Sequence, residues 1–96
     1  MIRVIIERHI KPGLYDDYAT VIRQAKKQAT KKTGFMGGEL YTDTNDDNKI
    51  VIIAAWANEE NWHEWDNSEE RKALTAELKD FLVTDEKVTI LRSRRA

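Results

Sequence analysis

The sequence predicts an α+β domain of order β-α-β-β-α-β, an antiparallel sheet with helices against it. Three observations carry that expectation. The chain opens on a period-two alternation of apolar and polar residues. It continues with an apolar stripe at helical spacing, and near its middle it holds a strand with two apolar faces. At 96 residues it has the length of one domain, spanning 1–96.

The first strand runs from Met1 to Ile10. Ile2, Val4, Ile6 and Ile10 fall on one face; Arg3, Ile5, Glu7 and His9 fall on the other. Lys11-Pro12-Gly13 ends it in a turn. The helix that follows carries Leu14, Tyr18, Val21, Ile22, Ala25 and Ala29 on one stripe. Asp16 and Asp17 come early in it and Lys26, Lys27, Lys31 and Lys32 late, as the helix dipole favours. Gly34 is the expected stop. Phe35 to Thr42 forms a second strand, in which the pair Gly37-Gly38 suggests a bulge or a close approach by another group. A polar turn over 43–48 leads into a third strand, Lys49 to Trp56, so that the two make an antiparallel hairpin. Asn58 caps a short helix to about Asp66, and Ser68 caps another from Glu69 to about Leu82, with Leu74, Leu78, Phe81 and Leu82 as its buried stripe. Lys87 to Arg92 is the last strand. The order is the split βαβ, or ferredoxin-like, plan.

The third strand predicts a partner. Ile50, Ile52, Ala54 and Trp56 point one way; Val51, Ile53 and Ala55 point the other. The helices cover one face of a four-stranded sheet, and no chain is left for the second. A second copy packed sheet against sheet, as a two-fold homodimer, is the simplest cover.

Composition narrows the function classes. The 16 Lys and Arg balance 17 Asp and Glu, so there is no broad basic footprint for nucleic acid. The basic stretch Arg92-Ser93-Arg94-Arg95 reads as solvated. There is no cysteine, and His9 and His63 lie on different elements, so neither a metal centre nor a disulfide is expected. Gly34, Gly37 and Gly38 make no phosphate loop, because no helix follows them. The apolar run Ile50 to Ala57 is too short to span a bilayer, and Arg3, Glu7 and Arg8 interrupt any signal-peptide core. A soluble cytoplasmic protein, with no nucleic-acid or membrane partner, is expected.

All three tryptophans, Trp56, Trp62 and Trp65, fall in AWANEENWHEWDNS, the stretch 55–68. They either fill a small core or wall a pocket for a ring-shaped substrate. Asn61 and Trp65 are neighbours on one helix face, whereas Trp62 is rotated about 100° from Asn61. If a pocket is present, that geometry assigns Trp65 and Asn61 to it and Trp62 to packing; an aromatic at helical spacing is otherwise core. Asn61 otherwise serves the helix cap, and Trp56 is otherwise a core indole. His63 lies away from that face and is expected to pair with Glu59 or Glu60. Glu7 becomes a base if it faces a cavity, and a structural ion-pair partner if it does not. Tyr15, Tyr18 and Tyr41 are hydrogen-bond donors without a motif.

Val4-Ile5-Ile6-Glu7, Lys11-Pro12-Gly13, Gly34-Phe35, Trp56 and the run Asn61-Trp62-x-x-Trp65-x-x-Ser68 resemble the antibiotic biosynthesis monooxygenase (ABM) family over essentially the whole chain. The resemblance implies a dimeric α+β barrel. It also implies metal-free, flavin-free oxygenation of a small aromatic, a quinol or phenol, bound between the second helix and the sheet. Asn61 and Trp65 stand at the spacing of the catalytic pair; Glu7, Trp56, Tyr18 and Phe35 are the expected substrate contacts, and no cofactor is implied. The family's haem-degrading branch carries Asn at the place of Glu7 and His at the place of Thr75, so haem degradation is not expected. A non-catalytic ligand-binding or stress-related barrel is the alternative, since fold alone does not fix function.

Overall fold

A computed structural model describes all of residues 1–96. Its elements are β1 (Ile2–His9), α1 (Tyr15–Thr30), β2 (Phe35–Asp43), β3 (Asp46–Trp56), α2 (Glu59–Asp66), α3 (Glu69–Leu78) and β4 (Lys87–Arg92). The strands make one antiparallel sheet in the order β2-β3-β1-β4. This is the ferredoxin-like α+β plan, with its second helical segment divided into α2 and α3.

Register decides which side chains meet the helices. Ile2 pairs with Trp56, Val4 with Ala54 and Ile6 with Ile52, which puts these residues on one face. There they join Ala29 of α1 and Trp62 and Trp65 of α2 in one core cluster. A second cluster joins Ile10 and Ile50 to Tyr18, Ala25, Leu74 and Leu78. Val4 and Ile50 are fully buried; burial of such a side chain stabilises by about 1.5–3 kcal/mol. On the other face Ile5 lies opposite Ile53 and Thr89, and Arg3 opposite Ala55 and Leu91. No residue of that face is buried, and Leu91 is 49% exposed.

Three expectations are adjusted. The hairpin is tighter than expected: β3 starts at Asp46 rather than Lys49, because Asp43 already pairs with Asp46 across Thr44-Asn45, and the strands shift register between Thr42 and Asp43. α3 ends at Leu78 rather than Leu82. Its last turn tightens through Phe81 N–H donating to Leu78 O, after which Ile10 and Leu82 form a bridge and Lys11 N–H donates to Phe81 O. Phe81 and Leu82 still pack on the core, but from the turn and bridge that follow the helix. α1 stops at Thr30, before Gly34, with Lys31 as its cap in ordinary right-handed geometry. Gly34 serves a different purpose. It has φ +86°, and a Cβ there would lie 2.2 Å from Asn61 Oδ1. The expected bulge is present: Phe35 pairs with Trp56 and Gly37 with Ala55, leaving Met36 extra, and Gly37 takes φ +130°.

No helix is long and apolar enough to cross a membrane.

Candidate functional site

Between α1, the helix-covered face of the sheet and α2–α3 lies a cavity of about 380 Å³. One side of it is aromatic. Trp56 arrives there because β3 ends on the even-numbered face; its ring packs edge-on against Phe35 at 5.1 Å and against Trp62 at 6.0 Å, and stacks on Trp65 at 6.4 Å. α2 starts where it does because Asn58 Oδ1 accepts from Asn61 N–H at 2.8 Å. From that start, Trp62 and Trp65 are about 60° apart around the axis and both turn inward. Both are buried, and both line the cavity. The expectation that Trp62 serves packing alone is corrected, since 60° is narrow enough to put two indoles on one wall. The tryptophans are core and cavity wall at once.

The other side of the cavity is charged. Arg8 and Arg71 both line it, and each is only 2% exposed. They share one carboxylate, Glu86: Arg8 Nε donates to Oε2 at 2.8 Å and Arg71 Nη2 to Oε1 at 2.7 Å. Arg8 Nη1 also donates to the buried Tyr18 hydroxyl at 3.0 Å. Burial alone would push the Glu86 carboxyl up, but Arg8 and then Arg71 outweigh it and hold it below the usual carboxylate range. Burial pushes the Tyr18 hydroxyl up, with Arg8 offsetting part of the effect.

Three buried donors here lack a hydrogen-bond partner: Trp56 Nε1, Arg71 Nε and Arg71 Nη1. Asp66 Oδ1 lies 3.4 Å from Arg71 Nε, an ionic contact whose direction makes no hydrogen bond. A buried donor left unpaired costs about 1–3 kcal/mol, so this set is expensive unless something else accepts from it.

The expected site residues separate. Trp56, Trp65 and Phe35 come together on the cavity wall. Tyr18 does not line it; it lies fully buried behind Arg8 as that guanidinium's acceptor. Glu7 as a substrate contact is corrected: it pairs with Val51 and Lys87 and shares the uncovered face with Ile5, since odd and even residues of a strand point oppositely. Asn61 is corrected in place as well. Its side chain packs over Gly34, outside the cavity lining, because the positive φ of Gly34 brings that backbone under it. His63 is exposed, with Nε2 3.7 Å from Glu59, as expected. No group of three His, Cys, Asp or Glu side chains is placed to hold a metal ion.

Arg8, Arg71 and Glu86 went unnoticed in the sequence, although two of them left a signal. Arg8 has the parity of Ile6 and Ile10, and Arg71 stands three and seven residues before Leu74 and Leu78, on the buried stripe of α3. A charge on an apolar face asks for a buried counter-charge. Glu86, in the loop before β4, left none.

The model of the antibiotic biosynthesis monooxygenase family matches residues 1–77. No curated protein matches the chain in sequence. Among solved structures, an antibiotic biosynthesis monooxygenase superposes with TM-score 0.87 at 19% identity, over 99% of this chain and 100% of that one. A conserved protein from Methanosarcina mazei Go1 gives 0.90 at 17%, over 97% and 92%. SnoaB, a cofactor-independent oxygenase from Streptomyces nogalater crystallised as an Asn-to-Ala variant, gives 0.87 at 13%, over 99% and 94%. Identities this low show a shared fold. The family match over most of the chain goes further, and the chain belongs to the antibiotic biosynthesis monooxygenase family.

Proposed function

We propose that the protein is a cofactor-independent monooxygenase acting on a small aromatic, of the quinol or phenol type, in the cavity between the sheet and α2. The observation that carries this reading is the aromatic wall of Trp56, Trp62, Trp65 and Phe35 around about 380 Å³. A ring stacks there and is shielded from water, and shielding strengthens each electrostatic contact to it. A deprotonated electron-rich ring can itself reduce dioxygen. The ring loses two hydrogens and gains one oxygen, while the second oxygen leaves as water, so no outside reductant is needed.

The working form in this proposal is a cytoplasmic homodimer. The support for it is the uncovered apolar face around Ile5, Val51, Ile53 and Ala55, whose burial against a second copy gives a larger return than exposure.

A second reading has its own support. The one carboxylate on the cavity lining, Glu39, is exposed, and Asn61 and Glu7 lie elsewhere, so no buried base faces the ring. A ligand-binding barrel without catalysis matches that arrangement. Oxygen uptake with a panel of hydroquinones and phenols separates the two. Monooxygenation predicts uptake above the no-protein rate, lowered by Trp65→Phe. Saturable quenching of tryptophan fluorescence with no uptake across the panel would reject the enzyme and leave the binder.

A further inference from the structure

The chain carries a formal charge of −1, yet the cavity gathers four cationic side chains, Arg8, Arg23, Lys26 and Arg71, against the single carboxylate of Glu39. Arg23, Lys26 and Glu39 are exposed, at the rim. Arg8 and Arg71 are buried. Behind the lining, Glu86 matches one of the two buried guanidiniums. Asp66 Oδ1, 3.4 Å from Arg71 Nε, offsets the second only in part, because its own side chain is 44% exposed and solvent screens it.

The hydrogen bonds tell the same story as the charge. Glu86 occupies Arg71 Nη2, while Nη1 has no acceptor anywhere in the protein. Trp56 Nε1, on a side chain 1% exposed that also lines the cavity, has none either. Arg71 Cζ further sits over the Trp62 ring, 5.8 Å from its centroid, which holds the guanidinium beside the aromatic wall. A guanidinium retained in a low-dielectric site with a free N–H is an anion acceptor, and an oxyanion gives it both the missing charge and the missing lone pair.

We infer that the cavity selects a ring-bearing monoanion, whose oxyanion accepts from Arg71 Nη1 while its ring lies along Trp56 and Trp65. The inference rests on the cavity being a ligand site, as proposed above, and names the class of ligand it takes. A ring phenolate and an aromatic carboxylate share this chemistry. For a phenol, the site holds the electron-rich, deprotonated form that reacts with dioxygen.

The test is a pair of isosteres, 2-naphthoate and 2-naphthamide, titrated at pH 7 against the wild-type protein by tryptophan fluorescence. The anion is expected to bind at least tenfold tighter. Arg71→Gln is expected to abolish that preference with the amide affinity held within about threefold, and Arg71→Lys to restore part of it. In the wild type, the Trp56 indole N–H resonance is expected to move downfield with naphthoate and less with naphthamide. If Arg71→Gln does not fold, the wild-type pair still decides. 4-Nitrophenol distinguishes the two sources of the anion. A bound, yellow phenolate below its solution pKa marks a ring oxygen, and naphthoate preference without that colour marks a carboxylate; either supports the inference. Amide binding as tight as naphthoate binding overturns it and leaves the cavity as a site for neutral rings. Failure of all three probes to bind overturns the ligand-site reading and this inference together.

Discussion

Replacing Glu86 by Gln isolates the buried charge cluster. In the native protein this carboxylate receives Arg8 Nε at 2.8 Å, Arg8 Nη2 at 2.8 Å and Arg71 Nη2 at 2.7 Å, and both arginines are 2% exposed. Gln keeps the shape and one acceptor oxygen but removes the charge, so two guanidiniums remain buried with no anion between them. Breaking a buried pair in this way costs about 3–5 kcal/mol. A domain of this length has on the order of 5–15 kcal/mol in all, so the variant should fold with a large share of its margin gone. Urea unfolding followed by tryptophan fluorescence measures the loss, because Trp56, Trp62 and Trp65 are all buried. Glu70→Gln is the control: Glu70 pairs with Lys32 at 3.0 Å in solvent, and its loss should barely move the midpoint. A Glu86→Gln midpoint that falls no further than that of Glu70→Gln would refute the view that Glu86 holds the two arginines in place.

The remaining predictions concern pH, the wall, the turn and the assembly. Because Glu86 is held below the usual carboxylate range, its contribution is fully present above its unfolded pKa of about 4.3 and is lost as pH falls through the lower folded value; stability measured against pH should fall less steeply in acid for Glu86→Gln than for wild type. Trp62→Ala should cost about 3–5 kcal/mol in urea unfolding, whereas Trp65→Phe should cost far less and weaken naphthoate binding. Gly34→Ala should destabilise by more than about 1 kcal/mol through its positive φ and its clash with Asn61, and Asn61→Gly should recover the steric part, read from the melting temperature of the double variant. Sedimentation at micromolar concentration should give twice the 11.2 kDa of one chain, and Ile53→Arg should give the single-chain mass with the fold intact by circular dichroism.

Much of the fold was legible because it is written in period. Alternation in β1 and β3 and the stripe of α1 are repeated signals, and each repeat reinforces the face assignment. The caps Asn58 and Ser68 were legible because a short polar side chain before a helix has one common task. What period does not carry is distance between elements. Asn61 shares a helix face with Trp65, yet the loop at Gly34 comes under Asn61 and takes it away from the cavity, a tertiary approach that no spacing within α2 encodes. Arg8 and Arg71 break the apolar pattern of their own elements, and the break itself was the trace of the charged floor. The end of α3 was misplaced for a similar reason: Phe81 and Leu82 keep helical spacing but are drawn off the helix where Lys11 N–H donates to Phe81 O and Val83 N–H to His9 O, bridging Leu82 to Ile10.

The bond between Arg8 and Glu86 closes 78 residues of chain. It also reaches outside the 1–77 stretch that the family model matches. Arg8 lies in the first strand, so its charge stays unmatched until the far end of the chain is in place. The aromatic wall draws on residues 35–65, while the charged floor is complete only with Glu86, just before the last strand. β4 is short and pairs with β1 alone, so its local opening disturbs the shortest of the three ladders. Because Glu86 directly precedes β4, such an opening would loosen it from both arginines and draw Ile90 away from the tryptophan cluster. An edge strand thereby becomes a timing element for the site, and amide exchange along Val88–Leu91 is a direct gauge of how often the floor is unlatched.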